Sequence, residues 1–206
     1  MTNLCQAKLN DNKPNNINFI CNFNPYSCKF VTHVNKGFAI MTPSKNYILN
    51  QAVTEKKMRR MALEIIENNP DVKEIILAGV KERGCVVAKS IQKMLAEISQ
   101  VKTDFVEISL DKKHPKDVTL SREMDFNDKV IIIIDDVANS GRTLLYALKP
   151  FLSFYPKKVQ SLVLVERSHN SFPVRSDYVG LSVSTTLQEN ICVEVEGEKV
   201  MGAYLE

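Results

Sequence analysis

From residue 42 onward the apolar positions switch between two periods. Val53, Met58, Met61, Ala62, Ile65 and Ile66 share one face at helical spacing, and Asn68, Asn69 and Pro70 end that helix. Glu74–Ala78 is a short apolar run, which predicts a strand buried on both faces. Gly79–Gly84 reads as a turn, Cys85–Ile98 as a second helix and Val101–Leu110 as an alternating strand. Asp111–Asp128 is polar and long for a connector, the mark of a functional or mobile loop. Val130–Ile134 is the most hydrophobic run, four of its five residues being isoleucine. Two carboxylates, a loop of small residues and a helix predicted through Leu152 follow it. Val159–Val165 predicts another strand. Beyond the loop Arg167–Arg175, short strands are expected near Tyr178–Val179, Ile191–Val195 and Met201–Tyr204. The order strand, helix, strand, strand, helix, strand predicts an α/β fold with a mainly parallel sheet and helices on both faces.

Residues 1–40 have a different texture. They are rich in asparagine, hold three of the five cysteines, and follow neither a helical nor a strand period. They are expected to form a weakly ordered extension ahead of one domain spanning residues 41–206. Met41 opens a stretch that reads like an ordinary bacterial N-terminus, so the first forty residues are either an over-extended start or a real, variable extension. Their four lysines against one aspartate account for the whole net charge of +3, and the remainder is neutral. A neutral body is a weak electrostatic match for nucleic acid. No apolar run approaches the ~18–20 residues that cross a bilayer. Met1–Asn10 lacks the basic-then-apolar pattern of a signal peptide, so a cytoplasmic location is expected. Cys21 and Cys28 have no second pair at zinc-finger spacing, which reads as free thiols in a reducing compartment.

The chemistry concentrates in Val130–Thr143, where a buried strand runs into two acids, a small polar turn and a helix start. In an open α/β sheet, ligands sit at the carboxyl ends of strands. Ser140, Gly141, Arg142 and Thr143 fall at the helix N-terminus, where unpaired backbone N–H groups suit a phosphate. Gly141 allows close backbone approach, and Ser140 and Thr143 add hydroxyl donors. Asp135 and Asp136 would repel a phosphate, so their partners are expected to be ribose hydroxyls and a magnesium ion shared with them. The Gly-Lys-Ser/Thr ending of a nucleoside-triphosphate loop is missing.

Asp135–Thr143 resembles the phosphoribosyl-pyrophosphate (PRPP) signature of the type I phosphoribosyltransferases. Leu77–Gly84 is similar to the pyrophosphate loop of that family, and Leu164–Gly180 to the segment after the fourth strand in the pyrimidine-operon attenuator/uracil phosphoribosyltransferase members. The resemblance spans residues 45–200. It implies a Rossmann-like parallel sheet flanked by helices and topped by a small hood. It also implies transfer of phosphoribosyl from PRPP to a free base, with release of pyrophosphate. By the same resemblance, Asp135 and Asp136 would bind the ribose hydroxyls and face the developing cation. Ser140, Gly141, Arg142 and Thr143 would hold the 5-phosphate, and Val137, Ala138 and Asn139 would complete the PRPP-binding segment. Lys81, Glu82 and Arg83 would meet pyrophosphate, with magnesium bridging pyrophosphate and ribose. A cis peptide is expected near Val80–Lys81. Asp111–Asp128 would be the flap that excludes water. The base would lie under Arg167–Arg175, lined by Val165, Arg167 and Val174, with His169 a plain loop histidine.

Two departures from the family pattern matter. Where the uracil enzymes carry Tyr-Arg at the flap start, the arginine touching pyrophosphate, this chain has Leu110-Asp111-Lys112-Lys113; either lysine could substitute for that arginine, but both are expected to be solvated. Members acting on 6-oxopurines place an aspartate where this chain has Asn139, and an amide is no general base. That argues against hypoxanthine or guanine and leaves adenine, orotate or another base open; uracil is the base that the resemblance of Leu164–Gly180 implies. An RNA-binding, nucleotide-sensing regulator and a transferase for another base stand as alternatives. A homodimer is implied by the resemblance alone.

Overall fold

The computed structural model describes residues 45–112, 114–184 and 189–206. The expectation for residues 1–40 lies outside them, as does that for Lys113. Helix α1 (Gln51–Asn68) follows a four-residue strand, β1 (Asn46–Leu49). Strand β2 (Glu74–Val80), helix α2 (Arg83–Ile98) and strand β3 (Lys102–Leu110) come next. A three-residue strand, β4 (Val118–Leu120), interrupts the long polar connector. The remaining elements are β5 (Val130–Ala138), α3 (Arg142–Ala147), β6 (Lys158–Arg167), β7 (Tyr178–Val183), β8 (Ile191–Glu196) and β9 (Lys199–Leu205).

Six strands form the main sheet in the order β4-β3-β2-β5-β6-β7, all parallel except β4, which runs antiparallel to β3. A second, antiparallel sheet, β1-β9-β8, forms the small hood. The central position of β5 accounts for its isoleucines. Ile132 and Ile134 face the core beneath α1 and α2, whereas Ile131 and Ile133 face the core beneath α3. A strand buried on both faces has no solvent side to mark by alternation. At ~1.5–3 kcal/mol per fully buried side chain, this run is a dense source of hydrophobic stabilisation.

Local signals explain the helix limits. Asn50 caps α1, its side chain accepting from the Val53 N–H at 2.9 Å. The Asn69 amide closes the other end on the Ile65 carbonyl at 2.8 Å. From α1, Lys57 donates to the Gly180 carbonyl at 2.9 Å and Arg60 to that of Val179 at 2.6 Å, which covers carbonyls of edge strand β7. The helix predicted through Leu152 is shorter than expected. It ends at Ala147 and continues as a 3-10 turn, Lys149–Ser153, because Pro150 supplies no N–H for an α-helical bond. No helix among the described residues is long and apolar enough to cross a membrane.

Candidate functional site

Strand β5 delivers both carboxylates. Its backbone stays paired with β6 past the apolar run, Asp135 opposite Val163, Val137 opposite Val165 and Ala138 opposite Glu166. The acids thus end the strand rather than follow it, and they are 1% and 5% exposed. Oδ1 of Asp135 accepts the Asp136 N–H at 2.9 Å, while its Oδ2 is buried with no hydrogen-bond partner. Burial, reinforced by the neighbouring Asp136 charge, raises the Asp135 carboxyl to about 8.

Lys112 answers this negative charge. Its Nζ lies 3.3 Å from Asp135 Oδ1 and 3.4 Å from Asp136 Oδ1. Burial works against the ammonium, but the two carboxylates outweigh it and raise its pKa. The expectation of a solvated lysine is therefore corrected for Lys112: two desolvated acids draw the nearest flexible cation. Arg83 adds a weaker contact, Nη1 to Asp136 Oδ2 at 4.0 Å.

Beyond the strand, Gly141 takes a left-handed backbone with φ +79° and turns the chain into α3. The Ser140 hydroxyl accepts the Arg142 N–H at 3.4 Å, and the Gly141 carbonyl accepts the Leu145 N–H at 3.0 Å. The loop bounds a cavity of about 320 Å³, whose wall is residues 136–144 with Arg83, Lys112 and Ile191. The structure thus brings Asp136, Val137, Ala138, Asn139, Ser140, Gly141, Arg142 and Thr143 together with Arg83, and sets Asp135 directly behind them.

Other expected residues fall elsewhere. Lys81 and Glu82 are exposed, and the Lys81 N–H ties the turn to the Ile108 carbonyl at 2.8 Å. The cis peptide expected near Val80–Lys81 is absent among the described residues. The turn is made instead by Glu82, at φ +71°. It leads into the first turn of α2, where a Cβ on Gly84 would lie 2.8 Å from the Ile134 carbonyl oxygen. Val165 is fully buried in the core beneath α1 and α2 rather than lining a base. Arg167 turns away as well, donating from Nη2 to the Glu189 carbonyl and tying β6 to the approach to β8. Val174 lines an adjoining cavity with Glu166, His169 and Asn170. Lys112 and Ile191 are wall residues that the sequence reading did not place in the site, Lys112 being weighed there as a substitute for the family's flap arginine and expected to be solvated. The paired lysines at the flap start were a signal for the first, whereas the second comes from the hood and had none.

The donor set fits a cation only in part. Among the described residues no three His, Cys, Asp or Glu side chains come together as a metal cage. Two adjacent carboxylates, one with an unpartnered oxygen and both already drawing an ammonium, suit a divalent ion whose other ligands come from a substrate.

A parallel sheet with this loop at the end of its central strand and an antiparallel hood is the architecture of the type I phosphoribosyltransferases. The solved structures agree. The hypoxanthine phosphoribosyltransferase of Trypanosoma cruzi superposes with a TM-score of 0.65 at 14% identity, covering 79% of this chain and 98% of that one. A hypoxanthine-guanine phosphoribosyltransferase from Bacillus anthracis gives 0.58 at 21% identity, covering 68% and 83%. In sequence, the phosphoribosyl transferase domain matches residues 44–196, and the chain belongs to that family. Within it the chain is similar to the curated Bifunctional protein PyrR of Clostridioides difficile strain 630, 35% identical over 75% of this chain and 94% of the relative. The PyrR of Streptococcus gordonii is 37% identical over 71% and 86%. The chain is thus a PyrR-like type I phosphoribosyltransferase.

Proposed function

We propose that the chain transfers phosphoribosyl from PRPP to uracil, releasing pyrophosphate. The observation that carries this is the buried carboxylate pair, with one unpartnered oxygen, beside a turn shaped for phosphate. Carboxylates are acceptors, and the ribose 2- and 3-hydroxyls are the donors they lack. Asp135 and Asp136 orient the ring, and Asp136 holds negative charge near C1 as the glycosidic carbon becomes cationic. Ser140–Thr143 holds the 5-phosphate through backbone and hydroxyl donors. Arg83 faces the pyrophosphate, with Lys81 and Glu82 on the exposed rim of the same turn. The C1–oxygen bond to pyrophosphate breaks, the bond from C1 to the base nitrogen forms, and the base gives up its proton. Asp135 and Asp136 would hold a magnesium ion, which would supply positive charge to offset that of the leaving pyrophosphate.

The base lies against Val137 and Ile191, apolar members of the cavity wall. Val165 pairs with Val137 across the ladder, Arg167 ties β6 to Glu189, and Val174 lines the adjoining cavity. Asn139 disfavours a 6-oxopurine, and the similarity to PyrR favours a pyrimidine. We place the chain in a homodimer from the family resemblance, and the reaction in the cytoplasm as the sequence pattern leads one to expect. A second reading, an RNA-binding nucleotide sensor, is favoured by the word bifunctional in the relatives' names.

The test is pyrophosphate release from PRPP and magnesium with a panel of free bases, using Asp136→Asn as control. Release with uracil, lost in the variant, supports the reading. Release only with another base overturns the choice of uracil. Tight PRPP or UMP binding without release, together with salt-dependent retention of a hairpin RNA, moves the function to the regulator.

A further inference from the structure

The loop after β6 was expected to cover the base, yet its tip is built onto the phosphate turn. The Ser140 carbonyl accepts two N–H groups from it, those of Ser171 at 3.1 Å and Phe172 at 3.0 Å. A tight turn, Val174 N–H to Phe172 carbonyl at 2.8 Å, brings the next carbonyl back over Gly141. A Cβ on Gly141 would lie 3.2 Å from the Val174 oxygen and 3.4 Å from that of Phe172, so the two segments are in backbone contact. Asn170 secures the arrangement by donating to the Val174 carbonyl at 3.1 Å. The Phe172 ring then lies beneath the Arg142 guanidinium, its centroid 5.3 Å from Cζ.

We propose that Phe172 is a positioning residue for PRPP, holding Arg142 at the cavity wall through a cation–π contact. The inference rests on the PRPP reading of the site. Arg142 is exposed and flexible, and without a restraint its guanidinium samples many rotamers, few of them along the cavity. An aromatic face attracts a cation without neutralising it, so Arg142 keeps its full charge for an anion. A carboxylate in the same position would hold the arginine but cancel its use. Ser171–Val174 thereby serves the phosphate end of the substrate.

Leucine keeps the apolar volume of Phe172 but has no π face, whereas tyrosine keeps both. PRPP binding to the full chain with magnesium is measured by calorimetry, and steady-state constants are measured where turnover is present. Phe172→Leu is expected to weaken PRPP about 2- to 5-fold, the scale of an exposed cation–π contact. The Michaelis constant for the base and kcat should stay within twofold, and Phe172→Tyr should restore PRPP affinity. In a double-mutant cycle, Arg142→Met should cost less in the Phe172→Leu background than alone. Equal PRPP affinity in Phe172→Leu and the parent chain overturns the inference alone, as does an equal loss in the leucine and tyrosine variants. A parent chain that binds no PRPP overturns the inference and the proposed function together.

Discussion

Replacing Asp135 with asparagine should stabilise the ligand-free protein while abolishing transfer. The carboxyl moves from an ordinary 3.8 to about 8 on folding because it is buried beside Asp136. At ~1.4 kcal/mol per tenfold change in proton affinity, the folded state carries a penalty on the order of 6 kcal/mol once the solution is more alkaline than both values. Asparagine removes the charge but puts one polar group where Oδ2 now lies without a partner, which costs about 1–3 kcal/mol. A net gain of roughly 3–5 kcal/mol corresponds to a Tm higher by roughly 6–20 °C in a chain of this size. The sign depends on pH. A folded-state pKa raised above the unfolded value leaves stability intact below about pH 4 and removes it progressively as pH rises towards 8. The gain from Asp135→Asn should therefore be absent or negative near pH 4 and largest near pH 8–9. Thermal unfolding at one-unit steps from pH 4 to pH 9 measures it. A Tm difference that does not change with pH, or that falls as pH rises, would refute the buried-charge argument.

Lys112→Met should lower the Tm of the ligand-free protein by a few degrees at pH 8. Lys112 is 45% exposed, so its ion pairs are worth about 1 kcal/mol at most, and the loss should shrink at high salt. Gly141→Ala should be worse than either, because a left-handed turn and a carbonyl oxygen 3.2 Å from the new methyl act together. A loss of about 1–3 kcal/mol is expected from thermal melts, with PRPP binding weakened at least tenfold by calorimetry. Ile191→Ala should raise the Michaelis constant for the base several-fold and leave that for PRPP within twofold in steady-state assays.

The order of elements was legible because burial imposes it. A run such as Ile131–Ile134 has no stable place except inside a sheet covered on both faces. Two acids directly after that run, followed by Ser-Gly-Arg-Thr, placed the chemistry at a strand end before any contact was known. Backbone pairing was less legible. Hydropathy stops at Ile134, but the ladder to β6 continues to Ala138, since main-chain hydrogen bonds do not depend on side-chain charge. Strands β1 and β4 were missed because pieces of four and three residues are too short to show a period.

Which side chains meet was left to the tertiary structure. The sequence determined that two carboxylates lie beside a phosphate turn at the end of a buried strand. It did not determine that Lys112 lies against them from 23 and 24 positions away in the chain, that Ile191 reaches the same cavity from the hood, or that Phe172 lies under Arg142. Nor did it reveal that Val165 points into the core and Arg167 towards Glu189. Local patterns follow from the few dihedrals and the burial of neighbouring residues, and those are written along the chain. Contacts between distant segments depend on where whole strands and loops come to rest, which packing decides only once all of them are present.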